Sequence, residues 1–358
     1  AFHRDGLSVG RCVDGRRIRM SALVHGGDVA AFQKAFPQAR LPIMDLSTGI
    51  NPHAYSDHTP EPMLAARLPD SAAHSALCET FAAYASADRR MVMAVPGSQS
   101  AISLLPYCFQ QGSVAIVSPT YNEHGAGWVR AGHRVHEATL EACLGAAPDV
   151  LVLVNPNNPT GDTYEREQVR DWLSLQEAHG GYLIVDEAFI DMEPGCSVSD
   201  MVTPEHRLIV LRSFGKFFGL AGLRLGFCIA PPGLQKKLAS MLGPWPIATP
   251  TLEVATQAYK DTPWIDAMQV RLKTDSQRLK DLASASGLLV RGGCPLFLLL
   301  QHPQMGHVAN RLASDGIYVR TFPDHPDWAR WGLPADEASW TRLETSLQNL
   351  NLKGTSHG

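Results

Sequence analysis

Short apolar runs recur through the middle of the chain, separated by segments of helical periodicity. They start near Met91, Val114, Val150, Tyr182, Leu208 and Leu225. Runs such as VLVLV from Val150 show no polar alternation, so both faces of those strands must be covered, as in a mainly parallel sheet with helices on both sides. This pattern predicts an α/β large domain over about residues 71–251. Beyond Pro250 the pattern changes. Residues 251–287 read as two helices with a break near Pro263, followed by strands near Leu288, Leu296 and Ile317 and a last helix near Glu337 to Leu350. Residues 252–358, joined by part of 20–70, are expected to form a smaller α+β domain. Pro37, Pro42, Pro52, Pro60 and Pro62 mark 20–70 as an arm with little regular structure. Residues 1–19 carry five arginines against two aspartates. They read as a basic, disordered extension without the apolar core of a secretory signal.

The candidate chemistry sits in the loops after these strands. In SFGKFFGLAGLRLGF, Ser213 to Phe227, Lys216 is the one charged side chain before Arg224. Desolvation disfavours an ammonium, so such a lysine can act as a neutral amine and form a Schiff base with an aldehyde. Ser213 and Arg224 could hold an anion beside it, Arg224 as a forked phosphate donor. A Schiff-base lysine next to a phosphate anchor describes a site for pyridoxal 5'-phosphate (PLP); the same run also fits a buried loop whose lysine snorkels to water. Upstream, the strand GGYLIVDEA ends in Asp186 and Glu187, at the edge where open α/β sheets place ligands. A carboxylate there could pair with the pyridine nitrogen, or could equally cap the strand end. VLVLVNPNNPTG brings Asn158 to a turn, where its amide could reach the phenolic oxygen of PLP. VMAVPGSQSAISLL reads as strand, turn and helix, with Gly97, Ser98 and Gln99 opening the helix as an anion site. Tyr121 follows another strand and could stack on the ring or pack in the core.

Taken together, NPNNPTG, VDEA and SFGKFFGLAGLRLG make the chain resemble the fold-type I PLP enzymes, in the branch that contains histidinol-phosphate aminotransferase. The resemblance runs from about His25 to the C-terminal region. It implies a large, mainly parallel sheet domain with a smaller α+β domain, PLP as cofactor, and a homodimer with active sites at the interface. It makes Lys216 the Schiff-base lysine, Asp186 the pyridine partner, Asn158 the donor to the phenolic oxygen and Tyr121 the stacking ring. Gly97, Ser98, Gln99, Ser213 and Arg224 become the phosphate cup, and Tyr55 could be lent to a neighbouring subunit.

One position departs from most of the branch. Where many members carry a tyrosine after DEA, this chain has Phe189. That is similar to the cobalamin-pathway L-threonine-O-3-phosphate decarboxylases. HGGDVAAFQKAFP from His25, DLSTGINPHAY, and ARWGLPADEASWTRL near the C-terminus resemble the same group. The implied activity is PLP-dependent decarboxylation of L-threonine O-3-phosphate. The alternatives are an aminotransferase acting on histidinol phosphate or an aromatic amino acid, and a non-catalytic PLP-binding regulator. The first two differ in which bond at Cα stands perpendicular to the pyridine plane, and so in where the substrate's anionic ends are held. Arg330 matches the arginine that holds the substrate carboxylate in the family. Arg320 is a second cation, His25 a candidate for the substrate phosphate, and Asn51 lies in a loop that approaches substrate in the family.

Composition changes this picture little. Hydrophobic residues make up 45% and charged residues 18% of the 358, within the globular range. A net charge of −4 gives no reason to expect a nucleic-acid or anionic-membrane partner. The longest apolar runs are too short to span a bilayer. Seven scattered cysteines suggest reduced thiols and a cytoplasmic protein, and no histidine spacing points to a metal.

Overall fold

The computed structural model describes residues 25–56 and 62–350; the expectations for 1–24, Pro60 and 351–358 lie outside the described residues. The apolar runs assemble into one seven-stranded sheet. Its strands are β1 (Val92–Val95), β2 (Ser113–Val117), β3 (Arg134–Ala138), β4 (Val150–Val154), β5 (Tyr182–Asp186), β6 (Leu208–Ser213) and β7 (Gly226–Ile229). Their order across the sheet is β1-β7-β6-β5-β4-β2-β3. All neighbours pair in parallel except β7, which is antiparallel to both β1 and β6. Two antiparallel steps restore direction, so β1 runs the same way as β6. The carboxyl ends of β1, β2, β4, β5 and β6 and the start of β7 therefore share one edge. That edge is where an open α/β sheet offers a crevice.

Every residue of β4 is buried, as its unbroken Val/Leu run requires. On one face Phe81, from the helix Ser71–Tyr84, stacks on Phe227 of β7 at 3.6 Å between ring centroids. Burying side chains of this size contributes about 1.5–3 kcal/mol each. Within this sheet, strand β3 is the one the sequence pattern missed. It lies at the sheet edge, and its residues RVHEA are mostly exposed, so no apolar run marks it.

After the large sheet and the helix Pro232–Leu242 come the two expected helices, Thr249–Lys260 and Thr262–Ala285. The break between them falls at Asp261, whose side chain caps the helix Thr262–Ala285 by accepting from Trp264 N at 3.1 Å. Pro263 stands in the first turn of that helix, where its missing N–H costs little. The chain then forms a four-stranded antiparallel sheet from β8 (Leu289–Cys294), β9 (Phe297–Gln301), β10 (Arg320–Phe322) and β11 (His325–Gly332), in the order β10-β11-β9-β8. The pattern did not reveal β11, because Pro326 and Asp327 interrupt its apolar residues. Met44–Asp45 pairs in parallel with Ile317–Tyr318, and Phe32 of the helix Val29–Ala35 stacks on Tyr318 at 4.6 Å. The N-terminal segment thus lies on the smaller sheet unit while reaching the large sheet's carboxyl edge.

Candidate active site

The carboxyl edge opens into a cavity of about 290 Å³ lined from both sheet units. Lys216 enters it from the short helix Phe214–Phe217 that follows β6. The loop is held from below by Asn51. The Asn51 N–H donates to Lys216 O at 2.9 Å, and its side-chain amide donates to Phe217 O at 2.8 Å. Phe189 presents its ring centroid 5.6 Å from Lys216 Nζ and packs edge-on against Phe297. Among the described residues no carboxylate lies within 4.0 Å of the amine. Burial and, next, the Arg330 charge lower the lysine to about 8.

Asp186 ends β5 and faces the cavity. Its Oδ1 accepts from Ala188 N at 3.0 Å, and its Oδ2 lies 3.0 Å from His124 Nε2, both side chains being buried. With each oxygen engaged, the carboxylate is fixed in orientation and can be aimed at one ring nitrogen. Sequence reasoning missed His124. Its only signal was its place three residues after Tyr121, on the helix Glu123–Arg130.

The turn after β1 and the start of β7 converge on an anion site. Gly97 has φ 71°, and a Cβ there would stand 2.7 Å from Arg224 Nη2, so only glycine lets the guanidinium lie over the turn. Arg224 itself adopts φ 51°, a conformation uncommon outside glycine and frequent at functional sites. Ser98, Gln99 and Ser213 line the same end of the cavity. Tyr121 donates its hydroxyl to Gln99 Oε1 at 2.9 Å. Burial, then Glu123, push the phenol to about 12, so it stays protonated and keeps this orientation.

The opposite wall is cationic. Arg330, on β11, donates from Nη1 to Asn158 Oδ1 at 2.6 Å and from Nη2 to Ser47 O at 2.7 Å. The Asn158 amide nitrogen, having no partner among the described residues, is left to donate into the cavity. Arg330 is 9% exposed, has no carboxylate within 4.0 Å among the described residues, and leaves Nε without a partner. Burial, then Arg320, lower it to about 10. Arg320 also lines the cavity, with Phe322 beneath its guanidinium at 5.5 Å. Burial lowers its pKa too. His25 stands at the mouth, its ring 6.1 Å from that of Tyr121.

Two expected residues lie elsewhere. Asn51 is 2% exposed and is not on the cavity wall. With its amide donated to Phe217 O and its Oδ1 accepting from His53 N, it braces the Lys216 loop from outside the cavity. Tyr55 is buried in its own chain, edge-on to Trp264, with its hydroxyl 3.2 Å from Asp261 Oδ2.

These residues fit the phosphorylated aldehyde that the sequence resemblance implies. The Gly97–Arg224 turn would take its phosphate, Asp186 its ring nitrogen, the Asn158 amide its phenolic oxygen and Lys216 its aldehyde, with Tyr121 against the ring. An amine must be neutral to attack an aldehyde. Capture of PLP by the apoenzyme should therefore speed up about tenfold per pH unit below pH 8 and level off above it. Stopped-flow absorbance across pH 6–10 measures this. The same depressed pKa means that Lys216 binds more protons in the unfolded chain than in the folded apoenzyme between about pH 8 and 10.5, so its own contribution to apoenzyme stability rises with pH across that window.

Comparison with known proteins places this geometry. The family described as aminotransferase class I and II matches residues 42–339. A threonine-phosphate decarboxylase of Pseudomonas aeruginosa is 40% identical over 94% of this chain and 99% of its own length. One from a Sinorhizobium species is 36% identical over 93% and 100%. Among solved structures, histidinol-phosphate aminotransferase from Sinorhizobium meliloti in complex with pyridoxal-5'-phosphate superposes with a TM-score of 0.78. It is 18% identical and covers 94% of this chain and 99% of that one.

Proposed function

Starting from a chain that belongs to the aminotransferase class I and II family, we propose that it is a PLP-dependent lyase that decarboxylates L-threonine O-3-phosphate to (R)-1-aminopropan-2-yl phosphate. The observation that carries this reading is the pair of unneutralised guanidiniums. A buried cation without a counter-ion is costly; here the buried Arg330 and the half-buried Arg320 face one cavity, neither with a carboxylate within 4.0 Å among the described residues. They suit a substrate with two anionic ends. The similarity to decarboxylases over nearly the whole chain supports the same substrate.

PLP supplies an electron sink for the bond that breaks at Cα. In this reading Arg330 grips the substrate carboxylate with two parallel donors, while Arg320 and His25 take the phosphate. With the amine held at the lysine end, three attachments would fix rotation at Cα and so select the bond to the carboxylate as the one the cofactor's electron sink acts on. Lys216, near neutrality in pKa, returns a proton to Cα once carbon dioxide has left. Phe189 and Phe297 keep water from that face. An aminotransferase would instead select the Cα–H bond.

The protein is read as a cytoplasmic homodimer. Among the described residues no helix is long and apolar enough to cross a membrane. Met63, Leu68 and Trp245 are exposed, and Thr249 Oγ1 donates to Arg67 O at 2.8 Å, so their two segments lie side by side. An apolar patch of this kind suits a subunit contact.

A paired assay tests the reaction. L-threonine phosphate alone should release carbon dioxide. Histidinol phosphate with 2-oxoglutarate should give no glutamate. Glutamate without carbon dioxide would make the chain an aminotransferase on the same fold.

A further inference from the structure

Glu123 is absent from the cavity wall yet holds two residues that form it. Its side chain is 14% exposed at the start of the helix Glu123–Arg130. Oε2 accepts from Gln99 Nε2 at 3.2 Å. Because the Gln99 amide nitrogen points to this carboxylate, its oxygen is turned toward the Tyr121 hydroxyl. Oε1 lies 3.3 Å from His25 Nε2. Glu123 thus joins the N-terminal segment to the anion-binding helix and to the ring-stacking tyrosine.

The backbone at His25 is fixed independently of its imidazole. A Cβ on Gly26 would stand 2.4 Å from Ser47 O, and Gly27 has φ +90°. The glycines therefore lie directly on the Ser47 loop, where Gly27 N donates to Ser47 Oγ at 2.8 Å. Tyr318 Oη donates to His25 O at 3.4 Å, two residues before Arg320. The strap is thus laid beside the second guanidinium. The imidazole, in contrast, is 48% exposed, and Glu123 is its one charged partner within 4.0 Å among the described residues. An exposed side chain keeps several rotamers unless a partner selects one.

We infer that Glu123 is a positioning residue that confers selectivity for phosphorylated over unphosphorylated amino compounds, by aiming the His25 imidazole at the substrate's phosphate end beside Arg320. The inference rests on the decarboxylase reading above. A carboxylate this close to a phosphate subsite would repel substrate if it stood alone. Its two oxygens are instead engaged by His25 and Gln99, and it orders the imidazole. The selectivity arises because an unphosphorylated amino compound has no group that reaches His25.

Glu123→Gln keeps the side chain's shape and an acceptor for Gln99 but removes the charge that orders His25. The expected result is a KM for L-threonine phosphate raised about tenfold with kcat within twofold, the mark of lost ground-state binding. Calorimetry on the PLP-loaded enzyme should show 1-aminopropan-2-yl phosphate binding about tenfold more weakly, and 1-aminopropan-2-ol unchanged. In a His25→Gln background the Glu123→Gln change should add nothing, since both act through one contact. A lowered or unchanged KM, equal weakening of both probes, or independent effects of the two substitutions would each overturn the inference. A fall in kcat with altered cofactor absorbance would also overturn it, by assigning Glu123 to Tyr121 and the cofactor. Wild-type enzyme that releases no carbon dioxide would sink the decarboxylase reading. A Glu123→Gln enzyme indistinguishable from a working wild type would sink only this inference.

Discussion

Lys216→Ala enzyme should retain no borohydride-fixable PLP and should lose decarboxylation by on the order of 10⁴-fold or more. Among the described residues Lys216 is the sole amine on the cavity wall, with its ammonium disfavoured by burial and by Arg330. In the proposed mechanism, alanine removes both the covalent hold on the cofactor and the group that returns a proton to Cα. Positioned proton transfer alone contributes about 10²–10⁴-fold. The fold should survive, because Asn51 holds this loop through the backbone carbonyls of Lys216 and Phe217. Mass spectrometry after reduction reads out cofactor attachment, and thermal melting of the apoenzyme checks folding. PLP still fixed by borohydride to the variant would place the attachment elsewhere.

Arg330→Leu should cost about 10²–10³-fold in kcat/KM, or roughly 3–4 kcal/mol, which lies within the range of about 2–5 kcal/mol for removing one partner of a desolvated charge pair. In the proposed reading, the loss follows from the missing grip on the substrate carboxylate. Stability should change little. Leucine leaves Asn158 Oδ1 and Ser47 O without their donor, but it also relieves a buried guanidinium that has no counter-ion. Arg330→Lys should recover part of the activity, since an ammonium carries the charge without the two-pronged geometry. Steady-state kinetics on all three enzymes checks the order. Equal activity of Leu and wild type would remove Arg330 from substrate binding.

Much of the site is visible in the sequence because its parts are local. Lys216 stands among apolar residues, Asp186 closes an apolar run, and Gly97 precedes a helix. In each case the neighbours along the chain create the environment that matters. The same holds for most of the large sheet, whose strands are buried on both faces and so leave continuous apolar runs. β3 and β11 escape this logic, one because it faces solvent at an edge, the other because Pro326 and Asp327 break its pattern. Missing β11 hid the register that carries Arg330 to the cavity.

The sequence alone determined the fold class, and it named most of the residues that line the carboxyl-edge cavity, in their order along the chain. Only the tertiary structure decided that Asn51 braces the lysine loop and that Glu123 holds His25. It also brought His124 to Asp186 across 62 residues and Arg330 to Asn158 across 172. The reason is physical. Burial and periodicity are encoded by adjacent residues. Whether a charge has a counter-ion depends on which distant segments pack around it. That an arginine is left without one, open to a substrate's anion, is a property of the packed molecule.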